Sequence, residues 1–378
     1  MDFSNDLIGM PEDDSLIADP ADEAALDPEE AARQAEAAAH ASRLLALQLI
    51  DRLQTEFPVA TYPYDNISKE FNVGERAVYD LVERLLEQDV LTRVGATFEP
   101  SRLGYQVAVC SMSVEDEDRA DVVSTIKGIH AIPRMVSVDG ERNLWFTAVE
   151  PSEKALDSQL AQVANKTGYD VACFRPTHVF KNQVSFEIDP TAPRRLERPQ
   201  APISLASVRP AAMSDIDRQI ARVLQGDISG ERRPFSVIAR MTADTCGEHL
   251  SEEEVIRRIT RWCDSGVIRC LGAVVNPAKV GFETSAVISW SVPEKLMPVL
   301  GSVLAAQPEV SRVLGKAGEA ESMGNVLAVL YGRTQADYTA FVNRVAAMLK
   351  KANLEVPEHT ACFVTEVLKD APARYFTD

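Results

Sequence analysis

Residues 85–105, LLEQDVLTRVGATFEPSRLGY, lie over residues 262–282, WCDSGVIRCLGAVVNPAKVGF, at a constant offset of 177. Gly95-Ala96 meets Gly272-Ala273, Pro100 meets Pro277, and Gly104-Tyr105 meets Gly281-Phe282. Upstream, Pro63-Tyr64 answers Pro234-Phe235. Downstream, Asn143-Leu144 answers Asn325-Val326, and the ends THVFKNQVSF and TACFVTEVLK correspond loosely. Self-similarity at a fixed spacing marks a repeat. At roughly 150 residues per domain, 378 residues leave room for two copies of a two-domain unit.

The order of elements within a copy follows from hydrophobic period and punctuation. In copy one, helical patterns at 43–56, 64–71 and 74–88 lead into a short strand pair around LTRVGATFEP, the order of a winged helix-turn-helix. An alternating strand at 105–114 follows, then a helix at 118–128 and strands near 132–139 and 143–149 joined by Asp139-Gly140. A helix at 152–167 and a last strand at 171–186 complete β-α-β-β-α-β, a ferredoxin-like sandwich. Copy two repeats this order. The fold class is therefore α+β, a tandem repeat of winged helix plus ferredoxin-like domain. We read an acidic disordered tail over 1–36, a winged helix over 37–100, a ferredoxin-like domain over 101–189, a linker over 190–213, and the second pair over 214–277 and 278–370. Identical sandwich units usually bury one face against each other, so duplication predicts an internal pseudo-dimer.

The 39 basic and 57 acidic residues give a net charge of −18, of which the tail carries −11 through twelve acids and Arg33. A protein that neutralises DNA phosphates needs a basic excess, and this chain has none. The reading helix of the first winged helix, 74–89, has five acids against two bases, and its partner at 251–264 has four against three. DNA is not the expected partner. Copy two also carries an extra TADTCGEHL where a tight helix turn is expected, which would misplace its reading helix. The six cysteines form no C-x-x-C pair, and no His cluster has zinc-finger spacing. No apolar run approaches the 18 or so residues that span a bilayer, and the first residues lack the bases of a signal peptide. A reduced, cytoplasmic protein without a membrane span is the expectation.

A winged helix followed by a ferredoxin-like domain resembles the Lrp/AsnC regulators, and more closely the siroheme decarboxylases. The closer resemblance is carried by Glu56-Phe57-Pro58 with Pro63-Tyr64, Arg93 to Ala96, Leu103-Gly104-Tyr105, Asn143 to Thr147 and Phe180-Lys181, over about residues 40–370. It implies a lyase that removes acetate carboxyls of siroheme to give didecarboxysiroheme in haem biosynthesis. It implies no cofactor, because the siroheme iron arrives with the substrate. An Lrp-like regulator and a non-catalytic tetrapyrrole-binding subunit are the alternatives. The partner would be an anionic tetrapyrrole, with a further homodimer or a related subunit added to the internal pseudo-dimer. The family's histidines ahead of the Asn-Leu-Trp-Phe string are replaced here, with Arg134 and Gly140 in their place.

Siroheme carries eight carboxylates around an iron, so its site needs cations with planar forks and an apolar wall. Arg93, Arg102, Arg134, Arg142, Arg175 and Lys181 fall at or next to strands of copy one, and Arg312 and Lys316 do so in copy two. Arg134 and Arg312 stand out because both copies place an arginine on the strand leading to the asparagine string. The pseudo-symmetry predicts that they face one shared cleft from opposite sides. Trp145 is a candidate for stacking on a macrocycle, although tryptophan in a strand is more often core. For the acid that protonates the carbon left by carbon dioxide, His178 and Tyr105 are the candidates. No protein-held metal is expected.

Overall fold

The computed structural model describes residues 28–188, 202–318 and 323–377. The acidic segment before Pro28 and the first part of the linker lie outside the described residues, and with them the expectation of disorder there.

Copy one opens with α1 (Pro28–Thr55), α2 (Pro63–Phe71), α3 (Glu75–Glu87) and β1 (Leu91–Phe98). The tail boundary at 36 is thereby corrected, because Pro28 starts a helix that runs unbroken through the alanine-rich stretch. Copy two opens with α6 (Asp215–Leu224), α7 (Pro234–Cys246), α8 (Glu252–Asp264) and β8 (Ile268–Val275). Ser214 and Asp217 form a capping box on α6, and Asp217 also pairs with Arg258 of α8 at 2.6 Å. The extra residues of copy two leave the order of elements unchanged, with α8 following α7 and preceding β8. They lengthen α7 to 13 residues against 9 in α2, because nothing in Thr-Ala-Asp-Thr-Cys breaks a helix before the left-handed cap at Gly247.

The expected strand pair within each wing is not formed. Each copy gives one strand, and β1 pairs antiparallel with β8 across the copies. The register centres on Gly95 opposite Gly272, with Val94 opposite Ala273 and Ala96 opposite Leu271. A pseudo-twofold axis passes through that glycine pair. Both glycines are required by close approach: a Cβ on Gly95 would strike the carbonyl oxygens of Gly226 and Leu224, and one on Gly272 would lie 2.5 Å from the carbonyl oxygen of Leu53. Gly95→Ala and Gly272→Ala should each destabilise the protein by about 1–3 kcal/mol, measured as a drop in denaturation midpoint with unchanged slope.

The sandwich elements of copy one are β2 (Gln106–Met112), α4 (Arg119–Lys127), β3 (Arg134–Val138), β4 (Leu144–Glu150), α5 (Glu153–Thr167), β5 (Ala172–Phe174) and β6 (His178–Asn182). A short β7 (Ile203–Ser204) from the linker pairs with β6. Those of copy two are β9 (Thr284–Trp290), α9 (Met297–Ala305), β10 (Val310–Gly315), β11 (Val326–Gly332), α10 (Gln335–Lys351) and β12 (His359–Asp370). The final strands cross between copies. β5 pairs with β2 of its own copy, but β6 pairs with β10 of the other. Likewise β12 pairs with β9 through His359–Phe363 and with β3 through Val364–Asp370. The strand expected at 171–186 is therefore two strands, which lie near opposite ends of one ten-stranded sheet ordered β5-β2-β4-β3-β12-β9-β11-β10-β6-β7. The inner faces meet at Val136, Val138, Trp145, Leu314 and Leu327, and each such burial is worth about 1.5–3 kcal/mol. The two winged helices also share one core, in which Phe57, Tyr64 and Leu85 pack with Ile220, Phe235 and Ile259.

Equivalent asparagines, one half-buried and one fully buried, tie corresponding corners of the two sandwiches. Asn143 brackets the backbone of Val114, accepting from its N–H and donating to its carbonyl, and Asn325 does the same to Val292. Glutamines at the ends of α1 and α6 clasp the segments that follow each sandwich. Gln54 accepts from the Phe186 amide at 2.8 Å and donates to its carbonyl, and Gln225 makes the same pair of bonds to Tyr375. Each clasped ring then packs on the other copy, Phe186 on Phe282 and Tyr375 on Tyr105, with centroids 4.8 and 4.9 Å apart.

Candidate functional site

A cleft of about 1160 Å³ lies between the β1–β8 ribbon and the sandwich. It straddles the pseudo-twofold axis, with Arg93 and Cys270 on the ribbon side and Arg134, Arg312 and Tyr331 on the sandwich side. The clasped aromatic posts, Tyr105 with Tyr375 and Phe282 with Phe186, wall it on either side. Pockets for drug-sized ligands span about 300–1,000 Å³, so this cleft suits a large one.

The cations differ in how they are held. Arg134, on β3, donates Nη1–H to Asp370 at 3.1 Å and Nη2–H to the Tyr331 hydroxyl at 2.9 Å. Burial pulls its pKa down, but Tyr331 and Asp370 more than offset this and hold it above its usual value. Arg312, on β10, donates Nε–H to the neutral side-chain oxygen of Asn182 at 3.1 Å. It forms no ion pair among the described residues, and burial, reinforced by the charge of Arg134, lowers its pKa. Arg93 is likewise lowered by burial, and its Nη1 is buried without a hydrogen-bond partner. Arg269 and Glu99 form a buried ion pair nearby, so that charge is already matched. A buried cation without a matching anion is costly, and a polyanionic ligand would offset that cost.

The structure thus brings Arg93, Tyr105, Arg134, Arg175 and Arg312 to one cleft. Arg175 sits at its edge, paired with Asp157 and beside Cys173. The Cys173 thiol, hydrogen-bonded by Cys110 and faced by Arg175, is lowered to about 6. Other candidates do not line the main cleft. Arg102 turns to Gly266 of the second winged helix, and Arg142 accepts the Trp145 indole N–H on its carbonyl. Trp145 is 6% exposed inside the sandwich, at a small cavity between the sheets that Arg134 and Arg312 also border. Lys181 bonds the Gln307 carbonyl after α9, and Lys316 lies near Cys173. His178 sits with Nδ1 2.9 Å from the Thr177 hydroxyl and its ring stacked on Phe180, and it does not line the cleft that Thr177 borders. His359 meets the Tyr338 hydroxyl.

Tyr331 is a cleft residue that reading the sequence missed. Counting six positions from each asparagine would have found it, since Asn143 leads to Val149 and Asn325 leads to Tyr331. Gln54, Gln225 and Tyr375 gave no signal, because a clasp on backbone atoms has no side-chain motif. Among the described residues no cluster of three or more His, Cys, Asp and Glu is arranged to hold a metal ion, and no helix is long and apolar enough to cross a membrane.

Fold and site together define a single-chain pseudo-dimer of winged-helix and ferredoxin-like units with an arginine-lined cleft on its axis. The model of the siroheme decarboxylase NirDL-like HTH domain matches residues 47–91 and 217–269, once in each copy. The siroheme decarboxylase NirDL subunit of Paracoccus denitrificans is 26% identical over 268 residues, 71% of this chain and 78% of the relative. The siroheme decarboxylase alpha subunit of Nitratidesulfovibrio vulgaris is 30% identical over 148 residues, 38% of this chain and 81% of that subunit. The crystal structure of siroheme decarboxylase NirDL in complex with an iron-uroporphyrin III analogue shares the fold, with a TM-score of 0.62 at 19% identity, over 87% of this chain and 93% of that one. The chain belongs to the siroheme decarboxylase family.

Proposed function

We propose that this chain removes acetate carboxyls from siroheme to give didecarboxysiroheme, a step of haem biosynthesis, and that the axial cleft is where it does so. The observation that carries the reading is the pairing of Arg134 and Arg312 across the pseudo-twofold axis of a cleft roomy enough for a macrocycle. Each Arg–carboxylate contact in such a site contributes about 1.5–3 kcal/mol, and a guanidinium fork fixes orientation as well as charge. A reacting acetate held as carboxylate against an apolar wall loses carbon dioxide more readily than in water, because the ion is poorly resolvated there. The iron enters with the substrate and no further cofactor takes part.

Anaerobic incubation with siroheme, followed by mass measurement, tests this directly. Loss of two carbon dioxides supports the reading. A Soret shift without mass loss would make the chain a tetrapyrrole-binding subunit, and salt-sensitive DNA retention would make it a regulator. Native mass measurement of the same sample separates a lone pseudo-dimer from a further homodimer or a complex with a related subunit.

A further inference from the structure

The two copies set Arg134 and Arg312 in the same frame and then surround them differently. Each arginine lies opposite the residue four places beyond the bracketing asparagine of its copy, Arg134 opposite Thr147 and Arg312 opposite Val329. The strand crossing over from the other copy places Asp370 beside Arg134 and Asn182 beside Arg312. Six places beyond the asparagines stand Val149 in copy one and Tyr331 in copy two, and both line the cleft. One half of the site therefore holds arginine, aspartate and tyrosine. Its mirror half holds arginine, asparagine and valine.

The partners assign different work to the two guanidinium groups. Arg312, hydrogen-bonded to a neutral amide and in no ion pair among the described residues, keeps its charge for a ligand carboxylate. Arg134 is already matched by Asp370 and spends one N–H on the phenol oxygen of Tyr331. That bond uses a lone pair of the phenol and leaves its O–H free to donate. We propose that Tyr331 is the proton donor of the decarboxylation, oriented by the Arg134–Asp370 pair, while Arg312 holds a carboxylate of the same substrate. This rests on the reading that the cleft takes siroheme.

The step balances without a co-reactant. The bond between the acetate methylene and its carboxyl carbon breaks, carbon dioxide leaves, and the electron pair stays on the methylene. The Tyr331 O–H then gives its proton to that carbon, forming a methyl group, and the phenolate beside the Arg134 cation takes a proton from solvent. A preformed cation aimed at developing negative charge is the usual source of such stabilisation. Tyr105, the other phenol candidate, accepts from the neutral Phe376 amide rather than from an arginine.

The test is Tyr331→Phe in the full chain, with siroheme binding followed by Soret titration and carbon dioxide release followed in single turnover. Binding should stay within about threefold of wild type while the rate falls about 10²–10⁴-fold, the usual worth of a general acid. Asp370→Asn should lower the rate less and shift its pH profile, because Asp370 acts through Arg134. A wild-type rate in Tyr331→Phe, or a rate restored by raising siroheme, would overturn this inference and leave the functional reading standing. A wild-type chain that binds siroheme but releases no carbon dioxide would overturn both.

Discussion

Arg312→Met should leave the ligand-free protein at least as stable as wild type and weaken siroheme binding about ten- to a hundredfold, or about 1.5–3 kcal/mol. The two signs differ for one reason. In the empty cleft the guanidinium is desolvated, faces the like charge of Arg134 and, among the described residues, has the Asn182 amide oxygen as its hydrogen-bond partner. Replacing such a cation with an apolar chain of similar length removes a desolvation cost, and exchanges of this kind are often neutral or stabilising. When a carboxylate arrives, the same group becomes half of a charge-assisted pair and its loss is felt in affinity. Thermal melts without ligand and Soret titrations with siroheme measure the two effects separately. The double variant Arg134→Ala with Arg312→Met should bind more weakly still. Unchanged affinity in the single and the double variant would place the site elsewhere.

Expressed alone, residues 1–188 and residues 202–378 should each be insoluble or unfolded, and co-expressed they should re-associate into one species. Neither half closes its own sheet: β3 takes its neighbour from β12, and β10 takes one from β6. Neither winged helix closes its own core either, because the Tyr64 hydroxyl donates to the Ser229 carbonyl and Gly95 seats against the end of α6. Separation would split the ribbon into two unpaired strands and expose the inner faces of both sandwich halves, including Trp145, Leu314 and Leu327. Size-exclusion chromatography of the separate and mixed halves gives the answer. Two well-behaved, independent monomers would refute the shared core.

The duplication was legible because glycines in close contact with backbone cannot drift, and Gly95 and Gly272 kept the two copies in alignment. The order of elements and the paired arginines followed from that alignment. Strand partners did not. A period of two reports which face of a strand is buried and says nothing about which strand lies beside it, so β1 and β8 read as two separate wings. The same limit hid the division of the strand expected at 171–186, where Arg175-Pro176-Thr177 carries the chain from one end of the ten-stranded sheet to the other. For the site, charge alone marked too many residues. Arg93 and Lys181 look alike in sequence, and only the fold directs the first into the cleft and the second to the Gln307 carbonyl. Tyr331 escaped because a single tyrosine at a strand end usually packs in the core.

The crossing of β12 onto β3 also sets a schedule for synthesis. Arg134 and its partner Asp370 are 236 residues apart. At about 5–20 residues per second, the ribosome takes on the order of ten to fifty seconds to deliver the second after the first. Throughout that interval β3 has β4 on one side and an open edge on the other, with Val136 and Val138 uncovered. An open apolar edge is a template for pairing with a neighbouring nascent chain. Heterologous production should therefore gain more soluble protein from slower translation or added chaperone than from any change at the surface of the finished fold.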